Sequence, residues 1–319
     1  MADPMKAAGS SHWAAINESS FVAGMRLLFW VCRVFGRWPF RVVLYPVLTW
    51  YVATKPVARR ASSTYLARMR PLASVPGGWW GVIRHFAAFA ENILDKMLLW
   101  GGLIDTSRVQ FHGADLMDRL LAERRGALLL CSHLGNVDLC RVLSHQQPGL
   151  KLTVLVHTRH AKAFNDMLAA IDPRSQMNLL QVTDMTPATA MLLSERVAAG
   201  EIVVIAGDRI PVAAQPRVVM APFLGTPAPF PVGPYVLASV LQCPIYLMFP
   251  LRGQQGYEVH FEQLSETVRL PRAGREAALT QLATAYAARL QHYAARSPLE
   301  WFNFYDFWHI QSGHEDATS

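Results

Sequence analysis

Short apolar runs alternate with helical patterns through the middle of the chain, and this alternation restricts the possible folds more than any other feature. The runs have the length and composition of buried strands, and they lie at residues 108–112, 127–131, 152–156, 178–182 and 202–206. Strands and helices that alternate in this way form a mainly parallel sheet covered by helices. The predicted fold is therefore α/β, with a mainly parallel central sheet that is flanked by helices.

A long stretch without a charged side chain, residues 218–251, has the hydropathy of a membrane-spanning helix. Its repeated prolines exclude such a helix, because proline removes a backbone donor and clashes with the preceding turn. We expect a Pro/Gly-rich loop that leads to a short buried helix at 232–241 and a buried strand at 245–251. An antiparallel strand at 257–261 and a long amphipathic helix at 275–296 are expected to follow.

The first part of the chain, residues 1–70, is both apolar and basic, which favours contact with a membrane surface. Arg26, Arg33 and Arg37 fall within one narrow arc of a helix whose other sides carry Leu, Phe, Trp and Val. Such a helix suits an anionic membrane surface, and a core helix with a solvated arginine face is the alternative. Residues 42–54 are uncharged but shorter than the ~20 residues of a spanning helix, so we expect a half-embedded segment.

Two regions are therefore expected: a membrane-associated N-terminal segment at 1–70 and a globular domain at 71–319. The net charge of +7 and the pI near 9.4 suit an anionic membrane, nucleic acid or a phosphate-bearing substrate. A mean hydropathy of +0.17 favours the membrane. The aromatic segment 301–308 is expected to pack on the domain, and anchoring in a membrane belt is the alternative.

A histidine follows one buried strand at its carboxyl end. Cys131 ends the strand, Ser132 and His133 come next, and a turn then leads to a helical pattern that carries Asp138. Ligands bind at this end of the strands in open α/β sheets. Across a strand-to-helix turn, this spacing predicts that the Asp138 carboxylate folds back onto the imidazole, fixes its tautomer and stabilises the imidazolium.

The pair of His133 and Asp138 has no nucleophile beside it, unlike a complete catalytic triad. His133 is therefore expected to act as the general base on a hydroxyl or amine that belongs to the substrate. The alternative is a purely structural His–Asp pair, because so short a spacing also arises by chance.

Two further segments leave predicted strands at the same edge of the sheet. AGDRIP carries Asp208 and Arg209, and VHTRHAKAFN carries Arg159. An arginine at this edge can hold a phosphate or stabilise an oxyanion, whereas an Asp–Arg surface turn is the alternative for AGDRIP. The predicted substrate-binding residues are Arg159, Asp208, Arg209 and Asn136, and backbone N–H groups of the turn after His133 are expected to assist them.

Motifs that mark several other enzyme classes do not occur in the sequence. It contains no G-x-S-x-G elbow, no Walker A loop, no G-x-G-x-x-G fingerprint and no H-E-x-x-H helix. His157 and His160 lack the spacing of a metal site, and no pair of the four cysteines has C-x-x-C spacing. Neither a metal, a disulfide nor a cofactor is therefore expected, and the cysteines indicate a reducing compartment.

The ordered set of motifs resembles a known family. SHLGNVD resembles the H-x4-D/E motif of the lysophospholipid acyltransferase superfamily. VHTRHAKAFN, AGDR and the segment from APFLGTP to MFPLR follow in the order seen in the lipid A late acyltransferases, the lauroyl and myristoyl transferases of Gram-negative bacteria. Asp138 stands where those enzymes usually carry Glu, and the chain lacks their Arg/Lys-rich close. It looks more like a sister branch that often accompanies aryl-polyene or fatty-acid-type pathways.

The resemblance implies a glycerol-phosphate acyltransferase-like fold and direct transfer of an acyl group from acyl-ACP or acyl-CoA. The acceptor would be a hydroxyl or amine of a lipid or glycolipid. His133 would be the base and Asp138 its orienting partner, at the cytoplasmic face of the bacterial inner membrane. No metal, cofactor or nucleic acid is implied as a partner.

Two other functions remain open at this point. A thioesterase-like hydrolase would use water in place of the acceptor. A non-catalytic protein that binds membranes or nucleic acid would account for the basic charge without using His133, although no RNA-binding strand pattern or helix-turn-helix signature is present.

Overall fold

The protein is described here as a computed structural model. It describes residues 30–100, 102–140, 142, 149–156, 178–181, 186–210, 216–253 and 256–309.

Seven helices have both of their ends assigned within the described residues. They are α1 (Trp38–Thr54), α2 (Pro56–Met69), α3 (Gly78–Trp100), α4 (Ala114–Ala122), α5 (Pro187–Ala198), α6 (Gly233–Leu241) and α7 (Arg275–Arg296), with a short 3-10 turn at Thr106–Arg108.

The strands assigned within the described residues form one large sheet and one hairpin. They are β1 (Gln110–His112), β2 (Ala127–Cys131), β3 (Leu152–Val156), β4 (Asn178–Gln181), β5 (Ile202–Ala206), β6 (Val218–Phe223), β7 (Thr226–Pro231), β8 (Ile245–Arg252) and β9 (Tyr257–Ser265).

The central sheet has seven strands in the order β1-β9-β8-β2-β5-β3-β4. The neighbours from β8 to β4 are all parallel, β9 runs antiparallel to β8, and β1 is parallel to β9. This arrangement confirms the predicted α/β class with a mainly parallel sheet. The antiparallel strand after β8 is also confirmed.

Strands β2 and β5 lie in the interior of the sheet, which is why both are apolar along their whole length. Alternate side chains of β2 enter two different core clusters. Leu128 and Leu130 pack on the side of α7, whereas Leu129 and Cys131 pack with Met248 and Phe261. Both faces of the sheet are therefore buried around β2, the strand that leads to His133.

The charge-free stretch departs from the prediction in its first half. Residues 218–231, expected to form a loop, make the antiparallel hairpin β6–β7. Pro227, Pro229 and Pro231 alternate along β7. Since alternate residues point their backbone nitrogens the same way, all three missing N–H groups fall on the side away from β6. The second half of the stretch contains the predicted buried helix and strand, as α6 and β8.

The N-terminal helices pack on α3 and share the main core with the sheet. Leu48, Val52, Tyr65 and Leu66 belong to the same buried cluster as Val82 of α3. The apolar segment predicted at 42–54 is part of α1. Residues 21–29 of the basic helix predicted at 21–41 lie outside the described residues. Residues 30–35 are helical, but a turn at 36–37 separates them from α1, so Arg33 and Arg37 do not belong to one continuous helix. Among the helices that the structure describes, none is long and apolar enough to cross a membrane. The boundary between 1–70 and 71–319 stays a prediction.

Candidate active site

The pairing of β2 with β5 brings two loops together at the carboxyl edge of the sheet. In this parallel pair Cys131 lies opposite Ala206. The residues two positions beyond each strand end, His133 and Asp208, are therefore neighbours in space although they are far apart in the chain. This juxtaposition forms the centre of the candidate site.

Asp208 binds both the ring and the backbone of His133. The His133 ring nitrogen Nδ1 lies 2.8 Å from Asp208 Oδ1. The backbone N–H of His133 donates to Oδ2 at 2.7 Å, and Trp301 Nε1 donates to the same oxygen at 2.8 Å. The carboxylate thus fixes the orientation of the ring in two ways, and Trp301 in turn fixes the carboxylate.

The surroundings of Asp208 keep it ionised. Its side chain is completely buried, which by itself raises the pKa. The nearby His133 and the hydrogen bonds from His133 and Trp301 outweigh burial and hold the pKa of Asp208 below its ordinary value. An ionised carboxylate accepts a proton-bearing Nδ1, so the neutral ring carries its lone pair on Nε2. His133 is 30% exposed, which gives this nitrogen access to a ligand.

Asp138 does not occupy the position that the sequence predicted. Its carboxylate forms an ion pair with Lys96 of α3, with 2.7 Å between Lys96 Nζ and Asp138 Oδ2. The expected fold-back onto His133 is wrong because the chain does not enter a helix directly after the histidine. Asp138 lies in a turn, where its backbone N–H donates a hydrogen bond to Asn136 Oδ1. Helical structure begins only at Leu139. The carboxylate on Nδ1 of His133 is Asp208.

The C-terminal segment binds the histidine loop along its backbone. Phe302 N–H donates to His133 O at 2.8 Å, and Gly135 N–H donates to Glu300 O at 2.9 Å. Gly135 has φ +66°, and a Cβ at this position would lie 1.7 Å from Pro250 O. Only glycine fits so close to the β8 backbone in this conformation. The loop is therefore held between β8 and residues 300–302.

This binding changes the prediction for backbone donors at the turn. The N–H of Gly135 is used by Glu300, and that of Leu134 donates to Ser132 Oγ at 3.3 Å. Neither group points freely at a ligand, so the backbone oxyanion site expected at the turn after His133 is not formed by these two residues.

Of the predicted substrate-binding residues, Arg209 and Asn136 keep a spare donor. Arg209 Nε and Asn136 Nδ2 are buried, and neither has a hydrogen-bond partner among the described residues. The Arg209 guanidinium lies over the ring of Tyr305, 5.8 Å from its centroid. Unpaired buried donors are costly, so both are candidates for contact with an anion or a carbonyl oxygen.

The other two predicted substrate-binding residues are Asp208 and Arg159. The carboxylate of Asp208 is buried and accepts three hydrogen bonds from His133 and Trp301, and its role in substrate binding stays a prediction. Arg159 lies outside the described residues, and its role stays a prediction.

Trp301 is a site residue that the sequence analysis missed as such. Packing of the aromatic tail was predicted and is confirmed, since Trp301 is completely buried against Tyr65 and Phe223. Its carbonyl also lies 2.9 Å from His85 Nε2, and His85 Nδ1 lies 2.8 Å from Ser62 Oγ. No sequence pattern linked the indole N–H to the carboxyl edge of the sheet.

Comparison with known proteins places the chain in a family. The model of a family described as bacterial lipid A biosynthesis acyltransferase matches residues 104–309. No curated protein matches the chain significantly. The matched range covers more than half of the chain and includes His133, Asp208 and Trp301. The chain therefore belongs to the bacterial lipid A biosynthesis acyltransferase family, which supports acyltransferase activity in general terms.

Proposed function

We propose that the protein transfers a fatty acyl group from acyl-ACP or acyl-CoA to a hydroxyl or amine of a lipid or glycolipid acceptor. His133 is the general base in this proposal. The observation that carries it is the hydrogen bond between His133 Nδ1 and the buried, ionised Asp208, at 2.8 Å. This bond leaves a basic nitrogen, Nε2, on a partly exposed ring with no protein nucleophile required.

The reaction begins when Nε2 of His133 takes the proton of the acceptor hydroxyl or amine. The acceptor oxygen or nitrogen forms a bond to the thioester carbonyl carbon, and the carbonyl becomes a tetrahedral oxyanion. The carbon–sulfur bond then breaks, and the thiolate leaves with the proton from the imidazolium. Asp208 stabilises the imidazolium between these steps. General-base catalysis of this kind contributes about 10²–10⁴-fold.

Arg209 and Asn136 are the proposed contacts for negative charge. Each has a buried donor without a hydrogen-bond partner among the described residues. A donor that is buried before the reaction costs no reorganisation when the oxyanion or a phosphate arrives. Arg159 is proposed as a second phosphate contact, on the basis of its sequence position after β3.

The role proposed for Asp138 differs from the one that its spacing predicted, which was to orient His133. With Lys96 it forms an ion pair beside the turn that carries Asn136. In this position it is a positioning residue for the turn.

We also propose that α1 faces a membrane, on the cytoplasmic side of the bacterial inner membrane. Large apolar side chains of this helix are exposed, namely Trp38, Val42, Val43, Val47 and Trp50. A contiguous apolar surface of this kind is typical of an interaction site. Lys55 and Arg60 are also exposed at the following turn and in α2, and basic residues next to apolar ones favour anionic lipid surfaces.

The first experiment combines the purified protein with a pool of acyl-ACP and acyl-CoA and a total lipid extract. Mass spectrometry then compares the wild type with His133→Ala. The proposal predicts lipids that gain one acyl unit only with the wild type. Free fatty acid as the only His133-dependent product would instead identify a hydrolase. No difference between two folded proteins would contradict the role of His133.

Vesicle flotation tests the membrane surface separately. Replacement of Trp50 by Glu should reduce flotation with anionic vesicles, whereas Met191→Glu, on the exposed face of α5, is the matched control. Equal flotation of the wild type and of the Trp50 variant would contradict the assignment of α1.

A further inference from the structure

Two histidines and a glutamate meet at the outer edge of the sheet, away from His133. Strand β1 pairs in parallel with β9, and His112 lies directly opposite His260. Their rings are stacked, with centroids 4.4 Å apart and planes 7° apart. Glu258 lies two residues before His260 and therefore on the same face of β9. The sheet thus collects three side chains that are common metal ligands.

The distances between these side chains suit a small cation. One ligand atom from each of His112, Glu258 and His260 lies within 4.8 Å of the other two. His260 Nε2 and Glu258 Oε2 are 3.3 Å apart. Two ligands of a tetrahedral zinc ion are separated by about 3.4 Å, given metal–ligand bonds of about 2.1 Å. The pair on β9 therefore already has the separation of two zinc ligands.

We propose that His112, Glu258 and His260 bind a divalent transition metal ion of the zinc class. Two imidazoles and one carboxylate prefer Zn²⁺, Cu²⁺ or Ni²⁺, whereas Mg²⁺ and Ca²⁺ prefer oxygen ligands alone. With three protein ligands, a fourth position remains for water or another ligand. The inference does not depend on the proposed acyl transfer.

A cationic side chain occupies this place in the structure. Arg296, in the last turn of α7, donates from Nη2 to Glu258 Oε2 at 2.9 Å, and its Nη1 lies 3.3 Å from His260 Nε2. The guanidinium satisfies the carboxylate when the metal is absent, so Arg296 and the metal compete for the same atoms. Arg296 is 42% exposed and can turn into solvent.

Metal binding also requires one change in His112. A metal lies in the plane of each imidazole that binds it, and two parallel stacked rings share no such position. His112 is exposed, so its ring is free to rotate toward the buried His260, which stays in place. The proposal therefore predicts that the stacked pair separates on metal binding.

The site differs from the expectation that the chain binds no metal. His112 and His260 are far apart in the sequence and show no ligand spacing, so only the β1–β9 pairing brings them together. Displacement of Arg296 occurs at the end of α7, immediately before the segment that carries Trp301. Metal binding at this edge would thus affect the segment 300–302, which binds the backbone of the histidine loop.

The test measures Zn²⁺ affinity by competition with a chromophoric chelator, using the full chain with Cys32 replaced by Ser. Cys32 is the described cysteine that is not buried, and its removal excludes a competing thiol. We expect His112→Gln to weaken Zn²⁺ binding by at least about tenfold, because even the loss of an outer partner of a ligand costs 10–100-fold. Arg296→Met should strengthen binding by up to about fivefold, since it removes the competing ion pair.

His309→Gln is the matched control, because His309 is also exposed and also pairs with a carboxylate, that of Asp306. It should leave Zn²⁺ affinity unchanged, and Mg²⁺ should not displace Zn²⁺ from any of the proteins. Circular dichroism confirms that each variant is folded. Wild-type affinity in His112→Gln, or an equal loss in His309→Gln, would overturn the proposal.

Discussion

Two carboxylates, Asp208 and Asp138, lie on loops near His133, and they differ in nearly every physical respect. Asp208 comes from the loop after a neighbouring strand, is completely buried and holds the imidazole. Asp138 comes from the turn just beyond His133, is partly accessible and pairs with Lys96. In a parallel sheet, residues at the ends of adjacent strands meet more closely than residues a few positions apart across an irregular turn. Spatial pairing of strands thus decides the partner of the histidine.

Replacement of Asp208 by Asn should have the largest effect. Asn keeps the size of the side chain, but its NH₂ group replaces one oxygen that accepts hydrogen bonds from His133 or Trp301. The NH₂ group must then either face one of these donors or donate to Nδ1 of His133, which moves the ring proton to Nε2. We expect the turnover rate to fall by about 10²–10³-fold, somewhat less than the loss known for the corresponding change in the Ser-His-Asp template. A kinetic assay of acyl transfer measures this loss, and thermal unfolding serves as the control for folding. Turnover within threefold of the wild type would contradict the role given to Asp208.

His85 contacts Trp301, the residue whose indole N–H binds the buried Asp208. Burial lowers the pKa of His85 to about 4, and it lies between Ser62 and the backbone of Trp301. An unfolded histidine has a pKa near 6.5, so the unfolded chain binds more protons between these values. The stability that depends on neutral His85 is complete above about pH 6.5 and is lost as the pH falls toward 4, by about 3 kcal/mol.

Replacement of His85 by Gln should remove that part of the pH dependence. Urea unfolding at several pH values between 7 and 4 measures the slope, with His309→Gln as an exposed control. An unchanged slope in the His85 variant would show that the ring is not buried in its neutral form.

Replacement of Trp301 by Phe removes one donor from Asp208 while it keeps an aromatic ring in the core. A hydrogen bond to a charged group contributes about 1.5–3 kcal/mol, so we expect a stability loss of about 2 kcal/mol. Because the bond also helps to hold the pKa of Asp208 low, acid unfolding should begin at a higher pH than in the wild type. Circular dichroism during acid titration checks this shift. Phe302→Leu, beside Trp301 in the same segment but without a side-chain donor, should leave the acid midpoint nearly unchanged.

Replacement of Asp138 by Asn should have the smallest effect. It breaks an ion pair with Lys96 but leaves the Asp208–His133 bond intact, and partly exposed pairs contribute about 0.2–1 kcal/mol. We expect turnover to fall by less than about tenfold. Turnover that falls further than in the Asp208 variant would restore Asp138 as the orienting partner of His133.

The sequence predicted the strands and helices that surround the site better than the contacts within it. Strands β2 and β5 have the predicted bounds, because each is a buried apolar run between turn signals. The hairpin β6–β7 was missed because prolines normally argue against a strand, and only their alternation makes them compatible with one.

The partner of His133 was missed for a different reason. The sequence placed Asp208 at the correct edge of the sheet, but the order of strands in the sheet differs from their order in the sequence. Strands β3 and β4 intervene between β2 and β5, yet β2 and β5 are neighbours. The contact between Trp301 and Asp208 and the cluster of His112, Glu258 and His260 also form between segments that are distant in the sequence. Periodicity and residue spacing do not predict such contacts.

The tautomer of His133 reports directly which carboxylate holds its ring. Long-range ¹H–¹⁵N correlation spectra of the histidine rings, with His133 assigned by its loss in His133→Ala, distinguish a proton on Nδ1 from one on Nε2. The structure predicts the Nδ1–H form in the wild type and in Asp138→Asn, and its loss in Asp208→Asn. If the Nδ1–H form were lost in the Asp138 variant and kept in the Asp208 variant, Asp208 would not be the carboxylate that orients His133.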